Sequence, residues 1–424
     1  MAMLLGTKGD DILKWRESAR LVEGLKSQLS RKWGRSSAQE AQSFLEGMTE
    51  ALEAELGYES QLDAELAALH RALSEAVAPA GLCALAARHR ELLSAHFSRR
   101  GSVLALTGAG NDWHDLLVAR AALLAEERML SLGQGPPPVY ALLVTGDRGR
   151  EEQTLYGKNR YLLMHQLDSE RFFLFTRQLA TALKEAGVIA GEEGLWHGSL
   201  AEWRALLKGS GTARKRDPRE EMENPLPPFA APMKGGSPSM PDWQWRLEAM
   251  ADLCFVTGYE PLADEAINAA ASSLKEQRSR EAFFQLARKA IHLPLALGHF
   301  GRWRLEKSGE HKGEIDVEGL GLTPLVSAVR VLAIHMGVQG GGTLHRVREL
   351  LYRGLFSVEL AERVLEALQC LMQLRILSEI RGEAAGAYAN PEEFTLEQDE
   401  RIRAAFEAVL DLQKMAYQRM VGQG

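Results

Sequence analysis

The stretch VYALLVTGDRGREEQTLYGKNRYLLM, residues 139–164, holds the side chains best placed for chemistry in this sequence. An apolar run, VYALLVTG, reads as a buried strand and empties into the turn GDRGRE; a second apolar run, YLLMHQL at 161–167, reads as another strand. Glycines directly after a strand let backbone amides converge on an anion. Gly146 and Gly149 are therefore candidates for a turn that cradles a phosphate. Arg150, Lys158 and Arg160 bring positive charge to the same neighbourhood, and Asp147 brings a carboxylate. Taken alone, such a turn is a weak signal, because most Gly-rich turns after strands are only turns.

Other candidates read more plainly. GEHKGEID at 309–316 gathers Glu310, His311, Lys312, Glu314 and Asp316, but one histidine among mixed charges in a Gly-rich loop reads as solvated. His335 lies on an apolar helical face and reads as a core histidine; His292 and His299 flank a PLALG turn. Cys83, Cys254 and Cys370 have no metal-ligand spacing and read as small buried hydrophobes in a reducing compartment. No local motif ties a Ser/His/Asp or Cys/His triad together. The cluster ARKR at 213–216 reads as a solvated charge run.

These residues need elements to position them. Apolar side chains at helical spacing run from Phe44 to Leu73, with a break expected at Gly57-Tyr58. A second helical block covers about 81–132, interrupted by GSVLALTGAGN, whose glycines read as a loop; GQGPPP ends the block. After the two strands, a helix is expected from an N-cap at Ser169 to Gly187. Strand, turn, strand and helix within so short a span indicate an α/β domain over 100–208, preceded by a helical region over 1–99. Residues 209–241 are rich in Pro and Gly and read as a flexible linker; 242–424 read as a bundle of six helices, the first of them DWQWRLEAMADLCFV. The fold class expected is α+β, predominantly helical.

In its surroundings the turn resembles something specific. GDRGREEQTLYGKNRYLLM is similar to the signature of a bacterial nucleotidyltransferase family related to the amino-terminal domain of the PII-protein uridylyltransferases. Gly146, Gly149, Arg150, Glu152, Gln153, Thr154 and Leu155 match in register. EWRALL around Trp203 and ADLCFVTGYEPLADEAI resemble later segments of that family, and PLALGHFGRWRLEKSG onward resembles its helical substrate-binding domain. The likeness covers about 80–415. It implies transfer of a nucleoside monophosphate from ATP or UTP to a protein or small acceptor, with Mg²⁺ held by two aspartates at i and i+2 of one strand and by a third carboxylate. It also implies that the loop at 309–316 faces the transfer cleft.

The match fails where metal chemistry needs it most. A turn serine is replaced by Asp147, and the two metal aspartates by Lys158 and Arg160. Asp252 stands at the third carboxylate, and the only metal role left falls to it. No catalytic residue can be assigned. Gly146, Asp147, Gly149, Arg150, Lys158 and Arg160 are the nucleotide-binding candidates if a nucleotide is bound at all. Two readings stand side by side: a transferase with impaired or lost metal-dependent catalysis, or a non-catalytic regulatory or scaffolding protein that binds a nucleotide without metal or a protein partner. In a structural version of the second, Asp147 and Asp252 pair with Lys158 and Arg160.

Composition narrows the partners. A formal charge of −7 over 424 residues argues against a sequence-independent nucleic-acid binder and leaves only a local basic patch open, so no nucleic-acid partner is expected. No apolar run approaches the ~18 residues that span a bilayer, and the first residues lack signal-peptide order, so a cytoplasmic protein is expected.

Overall fold

A computed structural model describes residues 38–166, 170–191, 194–207, 251–277, 281–298, 301–382 and 387–420. The expected linker at 209–241, the N-cap Ser169 and His299 lie outside the described residues. Two compact units appear, residues 1–75 and 76–424.

The described part of the first unit is one helix, α1 (Ala38–Glu75). It does not break at Gly57. A lone glycine costs a helix about 1 kcal/mol, which long flanks of Ala, Leu and Glu readily offset. A side chain at Gly57 would meet nothing within 4 Å, so no packing requirement ends the helix there.

The second unit opens with α2 (Pro79–Arg100) and α3 (Val103–Ser131). Ser102 caps α3 by accepting from the Ala105 amide, so the TGAGN stretch expected as a loop is helical. Its glycine has a different purpose: a Cβ on Gly110 would lie 2.7 Å from the Gln153 carbonyl oxygen. The glycine lets α3 pack directly on the chain that leaves the GDRGRE turn.

Strands β1 (Tyr140–Gly146), β2 (Asn159–His165), β3 (Leu195–Ser199) and β4 (Cys254–Gly258) form a mixed sheet in the order β3-β2-β1-β4. β1 is central and buried along its whole length, as its unbroken apolar run requires. It pairs antiparallel with β2 and β4, while β2 and β3 run parallel. The CFVTG segment, read from the sequence as helical, is β4, and its alternation was too short to separate from a helical pattern. α4 (Glu170–Glu185) ends at Gly187, which takes the left-handed conformation (φ 72°) expected of a helix-terminating glycine.

α5 (Leu200–Leu207) and α6 (Glu260–Gln277) cover one face of the sheet through Leu143, Leu162, Met164, Trp203 and Leu262. Trp203, from the EWRALL segment, is fully buried and donates its indole N–H to the Ala266 carbonyl at 3.0 Å. That segment locks α5 to α6.

The bundle comprises α7 (Glu281–Ile291), α8 (Thr323–His335), α9 (Thr343–Tyr352), α10 (Val358–Ile380) and α11 (Leu396–Met420), with a two-stranded ladder of β5 (Ile315–Asp316) and β6 (Tyr388–Ala389). Its core is continuous with Leu93 and Phe97 of α2, Val103 and Leu106 of α3, and Leu155 beyond the turn. The bundle core therefore reaches the helices and the segment that flank the GDRGRE turn, while the sheet packs on α5 and α6 in a cluster of its own. Cys370 is buried in it; Cys254 is half-buried and Cys83 is exposed, so only one of the three cysteines is the buried hydrophobe expected. No helix among the described residues is long and apolar enough to cross a membrane.

Candidate functional site

The turn after β1 has the shape its glycines predict. Gly146 takes φ 98°, and a Cβ there would sit 2.2 Å from the Lys158 carbonyl oxygen. A Cβ on Gly149 would sit 2.0 Å from the Asp252 carbonyl oxygen. Both glycines are thus demanded by backbone crossing at close range. Residues 148–150 form one 3₁₀ turn, and Asp147, Arg150, Glu152 and Asp252 are brought together and buried.

Asp147 is fully engaged. Its Oδ1 accepts from Arg150 at 2.6 Å, and its Oδ2 accepts from Arg375 at 2.6 Å and from the Lys158 amide at 2.8 Å. Asp252 is engaged as completely. Arg330 donates to both oxygens, at 3.3 and 2.7 Å. Arg346 Nη1 lies 2.8 Å from Oδ1 as an ion pair without an aligned hydrogen bond, and Arg150 Nη1 lies 3.5 Å from Oδ2. Burial alone would push both carboxyls up. Arg375 and Arg150 at Asp147, and Arg330 and Arg346 at Asp252, instead hold each at about 2.

The cluster extends into the bundle. Arg150 also donates to Glu152 at 2.8 Å, and Glu152 accepts from the Thr343 amide at the start of α9 at 3.3 Å. Arg375 donates to Glu379 at 3.0 Å, one turn on along α10. Glu379 in turn accepts from the Thr154 hydroxyl at 2.7 Å and the Leu155 amide at 3.0 Å. Burial pushes the Glu379 carboxyl up despite Arg375 beside it. Four carboxylates (Asp147, Glu152, Asp252, Glu379) thus meet four guanidinium groups (Arg150, Arg330, Arg346, Arg375), all buried. Balance of this kind is what makes burial of charge tolerable.

Lys158 and Arg160 do not join this cluster in the way expected. Asp147 and Asp252 pair with arginines, while the Lys158 ammonium turns outward to Glu318 at 2.7 Å. The physical reason is reach and burial: three bundle helices deliver guanidinium groups from inside, and Lys158 is half-exposed at the rim. Arg160 is half-buried on β2, in register with Thr145 of β1. Glu318 follows the 309–316 loop, so that region touches the turn through this residue; His311 itself stacks on Tyr388 at 3.7 Å. His335 is half-buried.

A second cluster braces the turn from α3. Asp115 accepts from both Arg148 nitrogens, at 2.9 and 2.5 Å, and lies 3.0 Å from His114 Nδ1. His114 Nε2 lies 2.6 Å from the Tyr161 hydroxyl. Burial pushes His114 down, leaving it a neutral link between Asp115 and Tyr161.

Arg330, Arg346, Arg375 and Glu379 were missed in the sequence. The available signal was an arginine within each of the apolar runs LVSAVRVLAIH, TLHRVRELL and LMQLRIL, since a charge on a buried helix face must have a partner.

A divalent cation of the kind the resemblance implies does not fit these residues. Both oxygens of Asp147 and of Asp252 already face guanidinium groups. Among the described residues no group of three or more His, Cys, Asp or Glu side chains is arranged to hold a metal ion. The space left between turn and bundle is about 50 Å³, lined by Asp147, Arg150, Glu318, Ser327, Arg330 and Arg375 among others.

Comparison with known families gives two matches. Residues 87–217 match the model described as "Putative nucleotidyltransferase DUF294", and residues 280–420 match "Putative nucleotidyltransferase substrate binding domain". A comparison with curated proteins finds no match. The first match spans the turn and most of the sheet, the second spans the bundle that closes over it, and the chain belongs to this nucleotidyltransferase family.

Proposed function

We propose that this protein keeps the nucleotidyltransferase fold without metal-dependent transfer, and acts as a non-catalytic regulatory or scaffolding protein that engages a protein partner. One observation carries the reading: Asp252, the one carboxylate that stands at a metal position, is consumed together with Asp147 by guanidinium groups, three of them from the bundle. Metal ions supply several kcal/mol of transition-state stabilisation in such chemistry, and each ~1.4 kcal/mol is tenfold in rate. Without them no group is left to activate an acceptor hydroxyl.

Nucleotide binding without metal has less support. Arg150, the cation nearest the turn, is committed to Asp147, Glu152 and Asp252, and Lys158 is committed to Glu318. The likeness to PII-uridylyltransferases rests on the turn motif, and half of that motif has another use here. Glu152 and Thr154 bond α9 and α10 through their side chains and Leu155 packs into the bundle core, so docking of the bundle is reason enough for those residue types. The description of the bundle as a substrate-binding domain favours it as the partner-binding part.

The test is incubation of the protein with α-labelled ATP, UTP, CTP or GTP, Mg²⁺ or Mn²⁺, and a bacterial extract as the source of acceptors. Incorporation should stay at the level of an Asp252→Asn control. Incorporation that needs both the divalent ion and Asp252 would overturn the reading.

A further inference from the structure

Resting on that reading of the transfer site, we propose that Arg330 and Arg346 are permanent counter-ions of Asp252, so that the joint between sheet and bundle forms without a divalent ion and admits none.

The geometry is specific. Asp252 is 1% exposed, and Arg330 and Arg346 are each 2% exposed. Arg330 comes from α8 and grips the carboxylate through two nitrogens, at 3.3 and 2.7 Å. Arg346 comes from α9, places Nη1 2.8 Å from Oδ1 and anchors Nη2 on the Ala251 carbonyl at 2.6 Å. A guanidinium is planar, weakly hydrated and always charged, so it pairs with a buried carboxylate at a lower desolvation cost than an ammonium. With Arg150 also 3.5 Å away, the guanidinium groups already occupy both carboxylate oxygens that a divalent ion would need.

The need is mutual. Each arginine sits among apolar neighbours on its helix and has no low-energy place without an anion. Asp252 is held in turn by its backbone, whose carbonyl lies against Gly149, and Gly342 lets the start of α9 lie against the Arg150 carbonyl, where a Cβ would be 1.8 Å away. The glycines fix the distance between the two halves and the ion cluster fixes their register. A site that in a metal-dependent transferase would open to exchange ion, nucleotide and product is here a closed joint.

The probe is Mn²⁺ added to the full chain, followed by the amplitude of the free-ion electron paramagnetic resonance signal, with thermal unfolding in Mn²⁺ and in EDTA alongside. The wild type should leave the Mn²⁺ signal undiminished and unfold at the same temperature in both. The Arg330→Gln, Arg346→Gln double variant should unfold at a lower temperature, and adding Asp252→Asn should recover part of the loss. A packing role for the arginines would give no such recovery. Mn²⁺ uptake by the wild type that Asp252→Asn abolishes overturns the proposal, as does a triple variant no more stable than the double. If the double variant does not fold, the wild-type Mn²⁺ titration decides alone. Nucleotide incorporation with an undiminished Mn²⁺ signal would refute the loss of transfer and leave this inference standing; Mn²⁺ uptake at Asp252 without incorporation would do the reverse.

Discussion

Asp252→Asn should destabilise the protein by about 2 kcal/mol more than Arg346→Met, although the first change is nearly isosteric and the second removes a long side chain. Asp252 faces Arg330, Arg346 and Arg150, at 2.7, 2.8 and 3.5 Å, and Arg150 is paired more closely with Asp147 and Glu152. Neutralising Asp252 leaves three buried guanidinium groups around an amide. Removing one partner of a buried pair costs about 3–5 kcal/mol, and here Arg330 and Arg346 both lose the carboxylate they share. Arg346→Met leaves Asp252 with both hydrogen bonds from Arg330 and with Arg150. It gives up an ion pair that has no aligned hydrogen bond, plus one bond to the Ala251 carbonyl. It also relieves repulsion from Arg330 and Arg150, which together with burial holds the Arg346 guanidinium below its usual range. The net cost is about 1–2 kcal/mol. Urea unfolding followed by the fluorescence of buried tryptophans such as Trp203 compares the two at equal slope. Equal costs, or a larger cost for Arg346→Met, would refute the claim that Arg330 and Arg346 share Asp252 as their counter-ion.

Three other outcomes follow from the same arrangement. The Asp147 and Asp252 carboxyls sit at about 2 in the folded chain against 3.8 ordinarily, so their stabilisation is complete above pH 3.8 and is lost as pH falls toward 2. That is roughly 2 kcal/mol apiece, to be seen as a steeper acid limb of unfolding in wild type than in Asp147→Asn; Glu379, pushed up by burial, works the opposite way as pH rises past 4.5. Gly342→Ala drives a methyl into the Arg150 carbonyl and should cost at least about 2 kcal/mol in the same urea assay, whereas Gly57→Ala on α1 meets nothing and should slow hydrogen exchange there by about 1 kcal/mol of added stability. Lys158→Ala breaks a half-exposed pair with Glu318 and should change stability by less than about 1 kcal/mol.

The parts of the fold legible in the sequence are those with a local physical signature. β1 announces itself as an unbroken apolar run, the turn by its glycines, the end of α4 by Gly187, and the bundle helices by their periodicity. Two local readings failed because the decisive contact was distant. Gly110 looks like a loop residue until the Gln153 backbone is seen to press on α3, and CFVTG looks helical until β1 supplies its ladder.

The site divides along the same line. Departure from a metal-dependent pattern at Lys158 and Arg160 was visible in the sequence, and so was the remaining carboxylate at Asp252. The partners of Asp147 and Asp252 were not, because Arg330, Arg346 and Arg375 come from helices far along the chain and carry no motif. The family pattern pointed to Lys158 and Arg160 at the metal positions; burial selected Arg150 and the guanidinium groups delivered from the bundle.

The most direct test of the central claim is calorimetric titration of the full chain with ATP and with UTP, each with and without Mg²⁺. No heat of binding is expected in any of the four, because the turn's cations are already paired with carboxylates. Binding that requires Mg²⁺ and disappears in Asp252→Asn would contradict that claim.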